Sequence, residues 1–240
     1  MYKNFVCCRK SLFATYVGLI LGGYNLTDID KTNGIHQSIS QIECDDAIRT
    51  YFRMSKTISC DVNPYWPRAF LLALAGFYVN DDFSSYHDFQ EVVRHINNLD
   101  NLNPKEKSVE LFNWLIQLPD YLKQISNTSL FNELWETYLN YEMGRSVHIN
   151  VEVEGIVNRV RSLSGDKDVA LPEIIFVPNC LQAPQVTDYI RIDNKIYIIK
   201  VIPDIESIVH EYLHEIFSIY FNDNDKLIIQ YEFLLEPIFE

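Results

Sequence analysis

Apolar positions along the first 150 residues recur at three- and four-residue spacing, the period of helices with one buried face. Residues 45–54 place Ile48, Tyr51 and Phe52 on one such face, and residues 88–99 and 104–117 repeat the pattern. Residues 119–125 and 129–141 follow, the last with Leu130, Leu134, Trp135, Tyr138 and Leu139 on one stripe. Two segments are apolar nearly all round, 11–22 and 67–78, and the second opens on Pro67, a residue suited to a first helical turn. The aromatic stripe reads as core packing rather than as a binding cleft.

The pattern changes after Gly144. Residues 147–153 alternate in part, a helix is expected over 151–163, and Gly165 and Asp166 then interrupt the chain. Residues 174–177 (IIFV) form a short β-branched run closed by Pro178, which predicts a strand. Residues 187–192 and 195–201 predict two more strands, joined at Asp193-Asn194 as a tight hairpin. A helix is expected from Asp204 to about Phe221, a polar break over 222–225, and a last helix over 226–236 before Pro237. The expected fold class is α+β, with residues 1–150 as a helical part packed on a small core over 151–240. That core is a short antiparallel sheet followed by two helices.

Composition narrows the function classes. The 240 residues carry 20 Lys and Arg against 33 Asp and Glu, a formal charge of −13. With no basic run to offset it, such a chain repels phosphate backbones, so no nucleic-acid partner is expected. Five cysteines (Cys7, Cys8, Cys44, Cys60, Cys180) lack the paired spacing of a zinc knuckle or a disulfide framework. Lys3, Arg9 and Lys10 precede an uncharged run over 11–27, the outline of a targeting segment. That run holds Gly18, Gly22 and Gly23, is short for a membrane span, and is followed by no clean cleavage site. It reads as a buried helix, which favours a cytoplasmic protein with membrane association not expected. Secretion or membrane association is the alternative that the apolar run keeps open.

One motif carries chemistry. His210-Glu211-Tyr212-Leu213-His214 is H-E-x-x-H within the helix expected from Asp204. Histidines four apart stand one turn above each other on one face, so both imidazoles can reach one Zn²⁺. Glu211 sits where a carboxylate can take a proton from a zinc-bound water and pass it to a departing amine. With 6 His and 16 Glu in the chain, the pattern is expected by chance about 0.01 times. Apolar flanks at Ile208, Val209, Leu213, Ile216 and Phe217 bury the helix, and the hairpin precedes it directly.

The motif, the hairpin and these flanks resemble the zincin metallopeptidases, in which an antiparallel edge strand holds the peptide above the zinc helix. The strong part of the resemblance spans residues 187–236. More loosely, a helical N-terminal half on such a core is similar to bacterial metallopeptidases of uncharacterised function. The chain departs from the family pattern at Glu215, where an uncharged residue is usual. The metzincin branch does not fit, because Phe217 and Tyr220 occupy its Gly and His positions. The gluzincin branch takes its third ligand from a following helix some twenty residues later. Glu232 and Glu236 lie 18 and 22 residues after His214, and Glu232 is favoured because Pro237 loosens the last turn around Glu236. Tyr220, Tyr231 and His148 are the candidate oxyanion stabilisers.

The resemblance thus implies a zinc-dependent metallopeptidase or amide hydrolase acting on a peptide or protein substrate. The metal would be held by His210, His214 and Glu232 (or Glu236), with Glu211 as general base. The rival expectation is a non-catalytic zincin-like or helical interaction protein with a structural or vestigial metal site. A third is a chain whose last ligand lies beyond Glu240. Cys180, after Pro178-Asn179, is a weaker candidate nucleophile with no partner His in readable range.

Overall fold

The computed structural model describes residues 5–56, 66, 68–99, 107–163, 173–201 and 208. The protein is a mixed helix-and-sheet fold, α+β. Its helices are α1 (Lys10–Leu21), α2 (Ile35–Ile39), α3 (Asp46–Arg53), α4 (Ala69–Phe77), α5 (Phe89–Asn97), α6 (Val109–Leu115), α7 (Leu118–Ser126), α8 (Ser129–Arg145) and α9 (Ile149–Leu163). The strands are β1 (Glu173–Pro178), β2 (Thr187–Ile192) and β3 (Lys195–Lys200). The expected helices over 204–221 and 226–236 lie outside the described residues, Ile208 excepted. No helix among the described residues is long and apolar enough to cross a membrane.

Two compact units divide the chain. One takes Cys8–Glu142 and Asn179–Pro184; the other takes Met1–Cys7, Met143–Pro178 and Gln185–Glu240. The boundary falls inside α8, after Glu142.

In the helical unit α1 is the central element. Every residue from Ser11 to Leu21 is buried, and α3, α4 and α7 pack around it. The uncharged run near the N-terminus is therefore a core helix. Gly18 within it and Gly22 at its C-terminal cap are steric requirements. A Cβ on Gly18 would overlap the Phe52 ring, and one on Gly22 would stand 2.9 Å from Phe52 Cβ and the Arg53 amide. Helix α3 approaches α1 this closely because those side chains are missing. Ile48, Tyr51 and Phe52 form the buried face of α3, as its spacing predicts.

Aromatic rings fill the rest of this core. Phe13 meets Phe131, Trp135 and Tyr138 at centroid separations of 5.5, 5.6 and 4.6 Å. The fully buried stripe of α8 runs Phe131, Leu134, Tyr138 and Glu142, with Trp135 beside it. Aromatic packing, not a cleft, is what this face does. Tyr51 stacks on Tyr121 at 4.0 Å and donates its hydroxyl to Trp114 O at 3.0 Å. The Trp114 indole N–H returns a bond to Tyr51 O at 3.3 Å. Tyr86 donates to Leu115 O at the same end of α6. Two helices begin at side-chain caps. Asp88 accepts from the Gln90 and Glu91 amides, and Ser108 from the Leu111 amide.

The sheet of the other unit has the order β1-β3-β2. Strands β2 and β3 pair antiparallel from Thr187↔Lys200 to Ile192↔Lys195. The two-residue turn puts Asp193 at φ 53, a left-handed conformation that Asp tolerates. Strands β1 and β3 pair parallel, Glu173↔Lys195 through Pro178↔Lys200. The sheet is thus mixed, which corrects the expected antiparallel one. The cause is connectivity: the chain leaves β1, crosses to the edge as β2 and returns by the hairpin into the centre, so β3 runs the same way as β1. On the far side of β1, Val6 makes a parallel bridge to Phe176. Phe176 N–H donates to Phe5 O at 2.7 Å, and Cys7 N–H donates to Phe176 O at 2.9 Å.

Helix α9 begins two residues earlier than expected and takes in residues that alternate in part. In that segment the two periods coincide. Ile149, Val153 and Val157 are four apart and buried, whereas Val147 and Val151 are exposed, so the helical period governs.

Two stability predictions follow from the helical unit. Replacing Gly18 by Ala forces the Phe52 ring aside and should cost about 1–3 kcal/mol; a denaturation midpoint unchanged from wild type would contradict the packing. Burial pushes the Tyr51 and Tyr86 hydroxyls well above the ordinary tyrosine range. Neutral tyrosine is thereby favoured in the folded state, so their contribution is complete below about pH 10, the unfolded tyrosine pKa, and is lost above it. Denaturant midpoints measured between pH 8 and 11.5 should fall at the alkaline end, and by less in Tyr86→Phe.

Candidate metal centre

The site is approached through the core of the sheet-bearing unit. Residues opposite each other in neighbouring strands share a face, and alternate residues along a strand change face. Ile174 and Phe176 of β1 therefore lie on one face with Ile196 and Ile198 of β3. That face is covered by Ile149, Val153 and Val157 of α9, and Phe5, Val6 and Ile208 join the same buried cluster. Ile208 is helical and 1% exposed. Ile208 thus packs into this core two residues before the first histidine of the motif.

Burying the sheet residues and Ile208 removes their side chains from water at roughly 1.5–3 kcal/mol each. Strand β3 ends at Lys200, and Val201 is itself fully buried. Only 202–207 stand between.

His210, Glu211, His214, Glu232 and Glu236 lie outside the described residues, as do Glu215, Tyr220 and Tyr231. His148 is exposed at the turn before α9. The set of donors is nevertheless one that zinc takes: two neutral imidazoles and a carboxylate, with the fourth position left for water. Among the described residues no group of three His, Cys, Asp or Glu side chains gathers to hold a metal. The remaining histidines have ordinary surroundings. Partial burial lowers the pKa of His36 and of His95, and His87 is exposed.

In the sheet the edge strand is the informative element. Strand β2 forms one edge of the sheet among the described residues. Asp188 and Ile190 are buried on one side, and Tyr189 and Arg191 are exposed on the other. Tyr189 pairs with Ile198 and Arg191 with Ile196. The exposed pair consequently shares the sheet face on which α9 and Ile208 pack.

Cys180 is fully buried in the β1–β2 loop and has no access to a substrate. Its amide donates to Glu142 Oε1 at 2.5 Å. The same loop is held by Leu181 N–H and Tyr138 O–H, both donating to Asn179 Oδ1, and by Thr27 O–H donating to Leu181 O at 2.7 Å. Glu142 has no exposed surface, and pattern reading alone passes over it as one more helical charge. Its signal is positional: it falls four residues after Tyr138, on the buried stripe of α8.

The helical unit also has a cavity of about 450 Å³ beside the start of α3, lined by Glu43, Cys44, Asp45, Ile48, Gln124 and Thr128 among others. Burial pushes the Cys44 thiol pKa up, which weakens it as a nucleophile. No histidine lines it, and it shares no residue with the motif.

No protein-family model matches the chain, and neither a curated protein nor a solved structure matches it.

The Glu142 carboxylate generates a prediction for the loop before β2. Glu142→Leu leaves the buried Cys180 amide without this acceptor and should cost about 1–3 kcal/mol. Glu142→Gln keeps a carbonyl oxygen at that place and should cost less. Equal losses in chemical denaturation would show that the bond to the loop is not what the side chain contributes.

Proposed function

We propose that the protein is a zinc-dependent peptide or amide hydrolase with a zincin-like core over residues 151–240. The observation that carries the reading is the H-E-x-x-H motif, His210 to His214, two residues beyond a helical Ile208 buried against a sheet. The surroundings support it. An antiparallel edge strand, β2, is joined by a tight turn to β3, which leads into the motif segment. In the zincins that this resembles, such a strand holds the peptide above the zinc helix.

In this reading His210 and His214 hold the metal, and Glu232, or Glu236 one turn later, completes three protein ligands. Zinc, when bound, polarises the scissile carbonyl and acidifies water at neutral pH. Glu211 accepts the proton of the attacking water and delivers it to the nitrogen of the departing amine. The substrate is a peptide or protein. The acidic chain, at −13, supports excluding nucleic acid from its partners.

Metal stoichiometry tests the reading without a known substrate. Protein dialysed against zinc and then against metal-free buffer should retain about one zinc per chain by elemental analysis. His214→Ala should lose it. Glu211→Gln should keep it while cleavage of a synthetic peptide library falls by about 10²–10⁴. Zinc retained equally by His214→Ala, or absent from the wild type, would overturn the proposal in favour of a non-catalytic interaction protein.

A further inference from the structure

The two outer strands of the sheet differ in composition. Strand β2 carries Asp188 and Arg191 among its six residues, and charges along an edge discourage pairing with another chain. Strand β1 (EIIFVP) has Glu173 as its one charge, and Ile174 to Pro178 are all buried. A short run of β-branched and aromatic residues with little charge pairs readily with a strand of another molecule. On the side of β1 away from β3 lie, among the described residues, Phe5–Cys7. Phe176 turns both backbone groups to them, donating to Phe5 O at 2.7 Å and accepting from Cys7 N–H at 2.9 Å. Phe5 N–H in turn donates to Asn150 Oδ1 at 2.8 Å. Phe5 and Val6, 4% and 3% exposed, join the apolar cluster of Phe176, Ile149 and Val153. This segment thus covers the β1 edge with its own backbone bonds and is anchored by its own side chains.

We propose that Phe5–Cys7 is a guard on the β1 edge. Docked, it keeps β1 from pairing with a second copy of this chain; undocked, it leaves an edge that pairs with one. The second copy is the occupant because its own β1 is the same nearly uncharged run, so two uncovered edges match each other. Backbone groups alternate in direction along a strand, so Ile174 turns to the same side as Phe176. An antiparallel pair centred on Ile175 therefore sets Ile174 of one copy against Phe176 of the other. Glu173 then falls opposite Val177, and no two carboxylates meet. Burial of Phe5 and Val6 is what holds the guard in place, since exposing such side chains to water is unfavourable. Val6, bridged directly to Phe176, is accordingly the residue through which docking can be weakened. No residue of the H-E-x-x-H motif takes part, so the proposal stands apart from the hydrolase reading.

The test uses the full chain and a labelled synthetic peptide of residues 1–9 carrying Cys7→Ser and Cys8→Ser, which prevent disulfide exchange. Val6→Asp places a charge in the apolar cluster and should expel the segment. By light scattering at micromolar concentration, its mass should be at least twice that of the wild type. Excess peptide should dock in trans by adding a strand to the sheet edge and return the mass to the wild-type value. The same peptide with Val6→Asp should leave the mass unchanged. Val6→Ala removes less and keeps the fold, so it decides the matter if Val6→Asp shows no cooperative melt. It should bind the labelled peptide about tenfold more tightly than the wild type, because the chain's own segment competes less well. Val6→Asp that melts cooperatively with the wild-type mass, or association that the peptide does not reverse, overturns the proposal. Equal peptide binding by Val6→Ala and the wild type overturns it as well.

Discussion

The burial of Ile208 in the core of the sheet-bearing unit is the constraint on which the functional reading depends. Its side chain sits with Phe176, Ile198 and the α9 residues Ile149 and Val153 in one apolar cluster. Strand β3 ends eight residues earlier, and Val201 and Ile208, on either side of residues 202–207, are both buried. A metal ligand must be held within a fraction of an ångström, and ligands borne on elements fixed by packing meet that demand better than ligands on loops. The chemistry proposed for His210, Glu211 and His214 presupposes that anchor.

Each unit is organised around one element that the rest must fit. In the helical unit it is α1, buried along its length and notched at Gly18 and Gly22 to admit α3. In the other it is β3, the central strand, paired on one side in parallel with β1 and on the other antiparallel with β2. The loop Asn179–Pro184 between β1 and β2 clusters with the helical unit and is held there by Glu142, Asn179 and Thr27. These side chains supply partners for the Cys180 and Leu181 amides and the Leu181 carbonyl of a buried loop that has no strand or helix to pair with.

Much of this was legible in the residues themselves, because local rules governed it. The hairpin is a two-residue turn between alternating strands, and the β2 bounds agree with the pattern to the residue. Helix α5 begins beside Asp88, where the pattern starts it, and the buried face of α3 is the predicted one. What escaped was non-local. Nothing in residues 5–7 marks them as a partner of Phe176, since a single parallel bridge needs no period. The parallel pairing of β1 with β3 depends on which edge the chain crosses to, and a strand pattern carries no such direction. The segment 147–153 satisfied two periods at once, and only the burial of Ile149, Val153 and Val157 decides between them. For the proposed site, the reverse held: H-E-x-x-H is legible as a pattern because metal chemistry would fix residue types at fixed spacing. The proposed third ligand is less so, because a glutamate some twenty residues later reads like any other charge.

The most direct test of the account is X-ray absorption at the zinc K-edge of the metal-loaded protein. The account predicts a first shell of nitrogen and oxygen only, near 2.0–2.2 Å, with the outer-shell scattering of two imidazoles. A sulfur ligand at about 2.3 Å would assign the metal to the cysteines instead, and a shell without imidazole scattering would contradict the role of His210 and His214 outright.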